Sequence, residues 1–266
     1  MTTVHKPTMQ VGNYMSFPVI TGEPNMTLAN AAIVMGLNKI GNLVIMKGNT
    51  ADGRVEGVLT EREILDVVAR KKSIPDIAVK DVLVQKYEAI PEQTRIAQAA
   101  KIMIRKGRRL LVYGRKRSGL DKLSGIITAS DLMYAFQQTD RNPPIETVMS
   151  KRLVRVSPEN TILHAVKVMV KERIGSVVVG EFANPIAIFS ERDMMFRVLA
   201  AGVSVEEKVM KYSSQPLIIA NVGIGASDAA KVMLENNIKR LPLERDGRLE
   251  GIVTARDVVE AFQRRL

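Results

Sequence analysis

Four segments of this 266-residue chain close a β-like run in the same way: a small residue, two apolar residues, a hydroxyl and, three positions on, a carboxylate. They are Gly57-Val-Leu-Thr60-Glu-Arg-Glu63, Gly125-Ile-Ile-Thr128-Ala-Ser-Asp131, Ala187-Ile-Phe-Ser190-Glu-Arg-Asp193 and Gly251-Ile-Val-Thr254-Ala-Arg-Asp257, starting 68, 62 and 64 residues apart. Self-similarity at a near-constant period means that one supersecondary unit is stacked against copies of itself. A second landmark precedes each motif. Apolar residues recur at i, i+3, i+4 and i+7: Leu28, Ala31, Ala32, Met35; Ile96, Ala99, Ala100, Met103; Ile162, Ala165, Val166, Met169; and Ala226, Ala229, Ala230, Met233. That spacing puts four side chains on one face of a helix, and the small residues in each set allow close approach to a neighbour. The methionine in each stripe reads as core filler.

Between the landmarks the pattern predicts a strand hairpin. In the fourth unit it comprises residues 241–243, a turn through Asp246-Gly247, and residues 249–253; the first unit has the same turn signal at Asp52-Gly53. The helix start lies 29 residues before Gly57 and Gly125 but 25 before Ala187 and Gly251, which predicts longer hairpin loops in the first two units. A second apolar-striped helix closes each unit, as at 64–69 and 194–200. The expected fold is therefore α/β (α+β), four β-α-β-β-α repeats at 10–72, 73–140, 141–203 and 204–266. Units of about 60 residues bury their apolar faces poorly alone, so pairing is expected. The two prolines of Asp140-Arg141-Asn142-Pro143-Pro144 resist helix continuation and mark a hinge between modules 10–140 and 141–266.

Composition narrows the function. Aromatic residues are only 4% and Trp is absent, so the core is aliphatic, built with 14 Met. The absence of Cys excludes disulfides, thiolate metal sites and a cysteine nucleophile. No apolar stretch approaches the roughly 18–20 residues that cross a bilayer, and residues 1–10 lack a signal-peptide core. A cytoplasmic protein with no membrane association is expected. The net charge of +11 is local: residues 71–125 hold 14 Lys and Arg against 5 Asp and Glu, concentrated at Lys71–Lys72, Arg105 to Arg109 and Arg115 to Arg117. Such a patch attracts phosphates on nucleic acid or on a small ligand, or is simply a solvated face.

The four motifs, the small-residue helix before each and the run Lys239-Arg240-Leu241-Pro242-Leu243 resemble the cystathionine-β-synthase (CBS) domain family over residues 10–266. The resemblance implies two tandem pairs, or Bateman modules. Each packs sheet against sheet about a pseudo-two-fold axis, leaving clefts for adenine nucleotides or related ligands. It also implies a stand-alone regulatory protein rather than an enzyme.

Each hydroxyl stands where a strand gives way to a helix. Ser/Thr-x-x-Glu is the capping-box pattern, and Thr60 with Glu63 fits it directly. The same helix N-terminus offers free N–H groups to a phosphate, and the carboxylate can accept from ribose hydroxyls. Carried over by position, the resemblance assigns Asp131, Asp193 and Asp257 to ribose, and Thr128, Ser190 and Thr254 to ribose or phosphate. Arg192 and Arg256 become phosphate contacts, with Arg62 and Ser130 in the same place of the first two units. Arg240 is a further phosphate contact and Arg109 its match with a one-residue shift, Asn42 and Ser176 being weaker equivalents. Unit 4 keeps the fullest set. Unit 1, with Thr60, Arg62 and Glu63 in place of Asp, has its ribose contact in doubt.

Other signals are weaker. His5 and His164 are too few and too far apart for a metal site, no Walker loop follows Gly53, and Gly223-Ile-Gly225 lacks the rest of a dinucleotide fingerprint. No nucleophilic pair is evident. The leading expectation is a sensor of AMP, ADP or ATP, with no tightly held cofactor, acting on an unidentified protein partner and open to homodimerisation. The alternatives are nucleic-acid binding through residues 71–125 and an S-adenosylmethionine-type ligand, the latter disfavoured by Arg192 and Arg256.

Overall fold

The computed structural model describes residues 9–48, 53–73, 76–83, 87–106, 109–115, 121–181 and 183–264. Four three-stranded sheets appear, one per unit, each with a parallel pair followed by an antiparallel hairpin. In unit 1 these are β1 (Thr21–Gly22), α1 (Leu28–Leu37), β2 (Asn42–Lys47), β3 (Arg54–Thr60) and α2 (Glu61–Lys71). Unit 2 has β4 (Tyr87–Pro91), α3 (Ile96–Lys106), β5 (Arg109–Arg115), β6 (Asp121–Ile127) and α4 (Ala129–Gln137). Unit 3 has β7 (Arg155–Val156), α5 (Ile162–Glu172), β8 (Ser176–Glu181), β9 (Asn184–Ser190) and α6 (Glu191–Asp193), and unit 4 has β10 (Ala220–Asn221), α7 (Ala226–Glu235), β11 (Arg240–Arg245), β12 (Arg248–Thr254) and α8 (Ala255–Gln263). The mixed α/β class and the repeat order are as the pattern requires.

All four stripes face the core, with Met35, Met169 and Met233 fully buried and Met103 nearly so. The unit 4 hairpin turns on Asp246 and Gly247, both at positive φ, which suits the twist of the flanking strands. The Asp52-Gly53 turn and the loop after Arg115 fall largely outside the described residues. The second helix of unit 3 departs from expectation: α6 is one turn, and residues 194–199 continue as a π-helix. Its wide turn brings the Met195 carbonyl against α1 at Gly36, where a Cβ would stand only 2.7 Å from that oxygen.

Two large cores divide the molecule in an order that the repeats alone do not announce. One gathers the helical faces of units 1 and 3, the other those of units 2 and 4. A third, smaller core joins the sheets of units 1 and 2 through Val44, Met46, Val55 and Val58 against Leu111 and Ile126. Sheet contacts thus build the first module, and helix contacts hold the two modules to each other.

The segment leading into each unit is laid on its neighbour. Residues 9–16 lie on unit 2, where the Val11 N–H donates to the Thr94 carbonyl at 2.8 Å and Ser16 bridges Ile126. Residues 77–83 return to unit 1, residues 143–150 lie on unit 4, and residues 205–214 lie on unit 3. The expected hinge is accordingly pinned. Helix α7 begins after Gly225, which has no side chain to cap it. Asn142 supplies the cap instead, its Oδ1 accepting from the Ser227 N–H at 2.8 Å. A Cβ on Gly225 would collide with that amide, which is why the position is glycine.

Candidate functional site

All four motifs fold as capping boxes, because each hydroxyl ends a strand with its N–H unpaired and the carboxylate three residues on can reach back. The Thr128 N–H and hydroxyl both donate to Asp131 Oδ2 at 2.7 Å. Ser190 does the same to Asp193 Oδ2 at 2.9 and 2.6 Å, and Thr254 to Asp257 Oδ2 at 2.8 Å each. Thr60 makes the equivalent pair with Glu63.

The cap consumes one carboxylate oxygen and leaves the other, and here the units diverge. Asp131 Oδ1 accepts from the Ser16 hydroxyl at 3.2 Å. Asp193 Oδ1 accepts from Ser214 at 2.7 Å and faces Arg197 at 3.2 Å. Ser150 holds the matching place beside unit 4, but its hydroxyl accepts from the Arg152 N–H. No described residue donates to Asp257 Oδ1, whose partner oxygen Oδ2 alone is used by the cap. Burial pushes the Asp257 and Asp131 carboxyls above the ordinary carboxylate value, partly offset by the cap donors.

Asp257 and Thr254 open onto a cleft of about 310 Å³ between units 3 and 4. One wall is the segment 150–154, tied to β12 by reciprocal Ser150–Ile252 backbone bonds of 3.0 and 2.9 Å. The floor is formed by Ile174, Gly175, Ser176 and Val178. Arg62, Arg152, Arg173 and Arg240 complete the lining. Arg62 arrives from unit 1, in the other module, so its side chain lies in this cleft rather than beside its own Thr60. The Arg240 guanidinium rests over Gly175 in the space a Cβ would take. The related cleft of the first module, about 320 Å³, is lined by Met15 to Ile20, Ile40, Asn42, Val44 and Ile126.

A third cavity, about 190 Å³, lies where the four units meet, and it collects Glu61, Glu191, Lys239, Arg240, Arg109 and Arg256 together with Thr128 and Ser130. Glu191 Oε2 accepts from Arg240 at 2.7 Å and Oε1 from Arg62 at 3.1 Å. Glu61 is buried with its Oε1 unpartnered, and burial raises its carboxyl above the ordinary value against the opposing pull of Lys239. Burial likewise lowers the Lys239 ammonium.

The expected phosphate arginines are thus divided. Arg192 donates to the Asn237 carbonyl at 2.8 Å and Arg256 to the Ile104 carbonyl at 2.8 Å, so both are tied to neighbouring units. Arg109 donates to Asn42 Oδ1 at 2.5 Å. The one-residue shift between Arg109 and Arg240 falls between helix and strand, and both residues begin the first hairpin strand of their unit. Of the basic segment, Arg109 lines the central cavity, Lys106 pairs with Glu88 at 2.9 Å, and Arg108, Lys116 and Arg117 lie outside the described residues. Sequence reasoning did not single out Arg152, Arg173, Lys239, Glu61 or Glu191. The last two were visible as the Glu-Arg inside the motifs of units 1 and 3 only, where units 2 and 4 have Ala-Ser and Ala-Arg.

A family model described as the CBS domain matches residues 11–70, 79–138, 145–200 and 208–264. An uncharacterized protein of Methanocaldococcus jannaschii is 27% identical over 266 residues, 94% of this chain and 61% of its own length. The matches span about three-fifths of the length of this relative and of two further archaeal ones. An inosine-5'-monophosphate dehydrogenase of Staphylococcus aureus is 30% identical over 115 residues, 41% of this chain but only 22% of that enzyme. A solved structure from M. jannaschii, described as a proposed archaeal homologue of g-AMPK, shares the fold with a TM-score of 0.77 at 18% identity, covering 95% of this chain and 99% of its own. Among the described residues no helix is long and apolar enough to cross a membrane.

Proposed function

The chain belongs to the CBS-domain family, with four copies of the domain, and from that premise we propose that it is a regulatory module that senses an adenine nucleotide in the cleft between units 3 and 4. One observation carries the reading: Asp257 keeps a carboxylate oxygen free in a cleft whose other charged lining residues are four arginines. A carboxylate accepts from two ribose hydroxyls, and guanidinium forks suit phosphate oxygens. The apolar Ile174, Val178 and Ile252 offer surface to a base. No observation favours nucleic acid over this reading, and the arginines favour phosphorylated ligands over a sulfonium.

The test is calorimetric titration with AMP, ADP, ATP and S-adenosylmethionine, with a short DNA duplex alongside, at moderate salt. An adenine nucleotide is expected to bind. Asp257→Asn, which can keep the cap, is expected to weaken it by at least about tenfold, since hydrogen bonds to a charged group contribute about 1.5–3 kcal/mol. Unchanged affinity in that variant, or binding of the duplex alone, defeats the proposal. A nucleotide at about 100 times its dissociation constant should also stabilise the fold by about 2.7 kcal/mol.

Gly175→Ala probes the floor of the same cleft. The new methyl takes the place of the Arg240 guanidinium, the movable end of a long side chain. Nucleotide affinity is expected to fall by about tenfold, roughly one charge-assisted bond, and the urea midpoint should fall as well, because the methyl also presses on Glu191 Oε2 and parts it from Arg240.

A further inference from the structure

The two module clefts occupy equivalent places yet differ in charge. Ser16 and Ser150 each bridge the second hairpin strand of the neighbouring unit, at Ile126 and Ile252, and Asn42 and Ser176 each begin a strand opposite the capping hydroxyl. The cleft of the first module has no charged residue in its described lining. The cleft of the second has four arginines, one of them borrowed from the first module.

The borrowed residue, Arg62, is held in a particular way. Glu191 gives one carboxylate oxygen to Arg62 and the other to Arg240, so a single buried anion spans two guanidiniums from different modules. Glu191 lines the central cavity and not the cleft, whereas Arg240 lines both. The carboxylate thus holds the pair from behind, and the cleft side of the same pair stays open to a ligand. Two arginines bridged by one anion form a ready-made place for a second, and a phosphate group matches a carboxylate in charge and in its spacing of acceptors.

We infer that the cleft between units 3 and 4 selects a nucleoside di- or triphosphate over the monophosphate and the free nucleoside, because Arg62 of the first module joins Arg240 in gripping the terminal phosphates in competition with Glu191. The inference rests on the adenine-nucleotide reading of this cleft and adds to it the phosphate number and the residue that sets it. Arg62 is a specificity-determining contact, and Glu191 is a positioning residue that holds the arginines ready and opposes the ligand. Occupancy shifts Arg62 from Glu191 towards the phosphates, so the state of the cleft is felt at the contact between modules.

The experiment is calorimetric titration of adenosine, AMP, ADP and ATP into the wild-type chain and into Arg62→Ala, Glu191→Gln and Asp257→Asn. Wild type should bind ADP and ATP about tenfold or more tightly than AMP, the worth of one charge-assisted contact. Arg62→Ala should erase that preference while leaving the adenosine affinity unchanged. Glu191→Gln, which removes the competing charge but keeps the side-chain shape, should tighten ATP severalfold and leave adenosine where it was. Arg62→Ala binding ATP as wild type does, or losing adenosine and ATP equally, overturns the inference, as does Glu191→Gln with unchanged or weaker ATP binding. Those outcomes leave the adenine-nucleotide reading standing as long as Asp257→Asn weakens every ligand. Failure of the wild-type chain to bind any of the four, or indifference to Asp257→Asn, brings down that reading and the inference with it.

Discussion

Phe262→Ala is expected to lower the unfolding free energy by about 4 kcal/mol, within the range for truncating a buried phenylalanine. Phe262 on α8 is 1% exposed and stacks on Phe136 of α4, with ring centroids 5.1 Å apart and planes 10° from parallel. The lost side chain would leave a void at the contact between units 2 and 4, and the Phe136 ring would lose its stacked partner as well as apolar burial. Urea unfolding followed by circular dichroism measures the effect as a fall in midpoint at constant slope. Because the two modules share this core, the transition should remain single. Two resolved transitions would mean that the modules unfold separately and that the shared core adds little.

Lys239→Met is expected to cost about 2 kcal/mol at pH 8, below the roughly 3–5 kcal/mol for breaking a buried ion pair, because Lys239 attracts the Glu61 carboxylate without forming a direct ion pair to it. Glu61 and Lys239 meet beside Gly41, where both would stand 2.8 Å from a Cβ. With methionine in place, the buried Glu61 carboxylate loses its strongest attraction, and its folded-state pKa climbs further above the unfolded value. A carboxyl whose folded pKa is raised penalises the native state above that pKa, and the penalty fades as pH falls towards the unfolded value. The deficit of the variant should therefore shrink between pH 8 and pH 5. A deficit of equal size at both pH values would assign the loss to packing of the lysine stem instead.

The repeat, its elements and the core-facing stripes were legible because each rests on local chemistry: helix periodicity, a turn with two residues at positive φ, and a hydroxyl three residues before a carboxylate. The same locality explains what was missed. Thr60, Thr128, Ser190 and Thr254 all cap helices, and nothing within a motif tells which carboxylate keeps a free oxygen. That depends on whether Ser16, Ser150 or Ser214, on a segment from another unit, turns its hydroxyl towards the aspartate. Arg62 was read with its own motif because sequence proximity suggests it, yet its side chain lines a cleft in the other module. The Glu-Arg of units 1 and 3 against the Ala-Ser and Ala-Arg of units 2 and 4 did carry the news, since those residues meet at the centre and follow the helix pairing.

The crossed leading segments bear on how far such a chain can be cut down. A lone unit would lack the strip that its neighbour provides: α7 would lose the Asn142 cap, and β9 its bonds to Ser214. The smallest piece of this sequence that holds every strip in place within one chain is a pair of units. The alternation of Glu-Arg in units 1 and 3 with Ala-Ser and Ala-Arg in units 2 and 4 follows the same pairwise order.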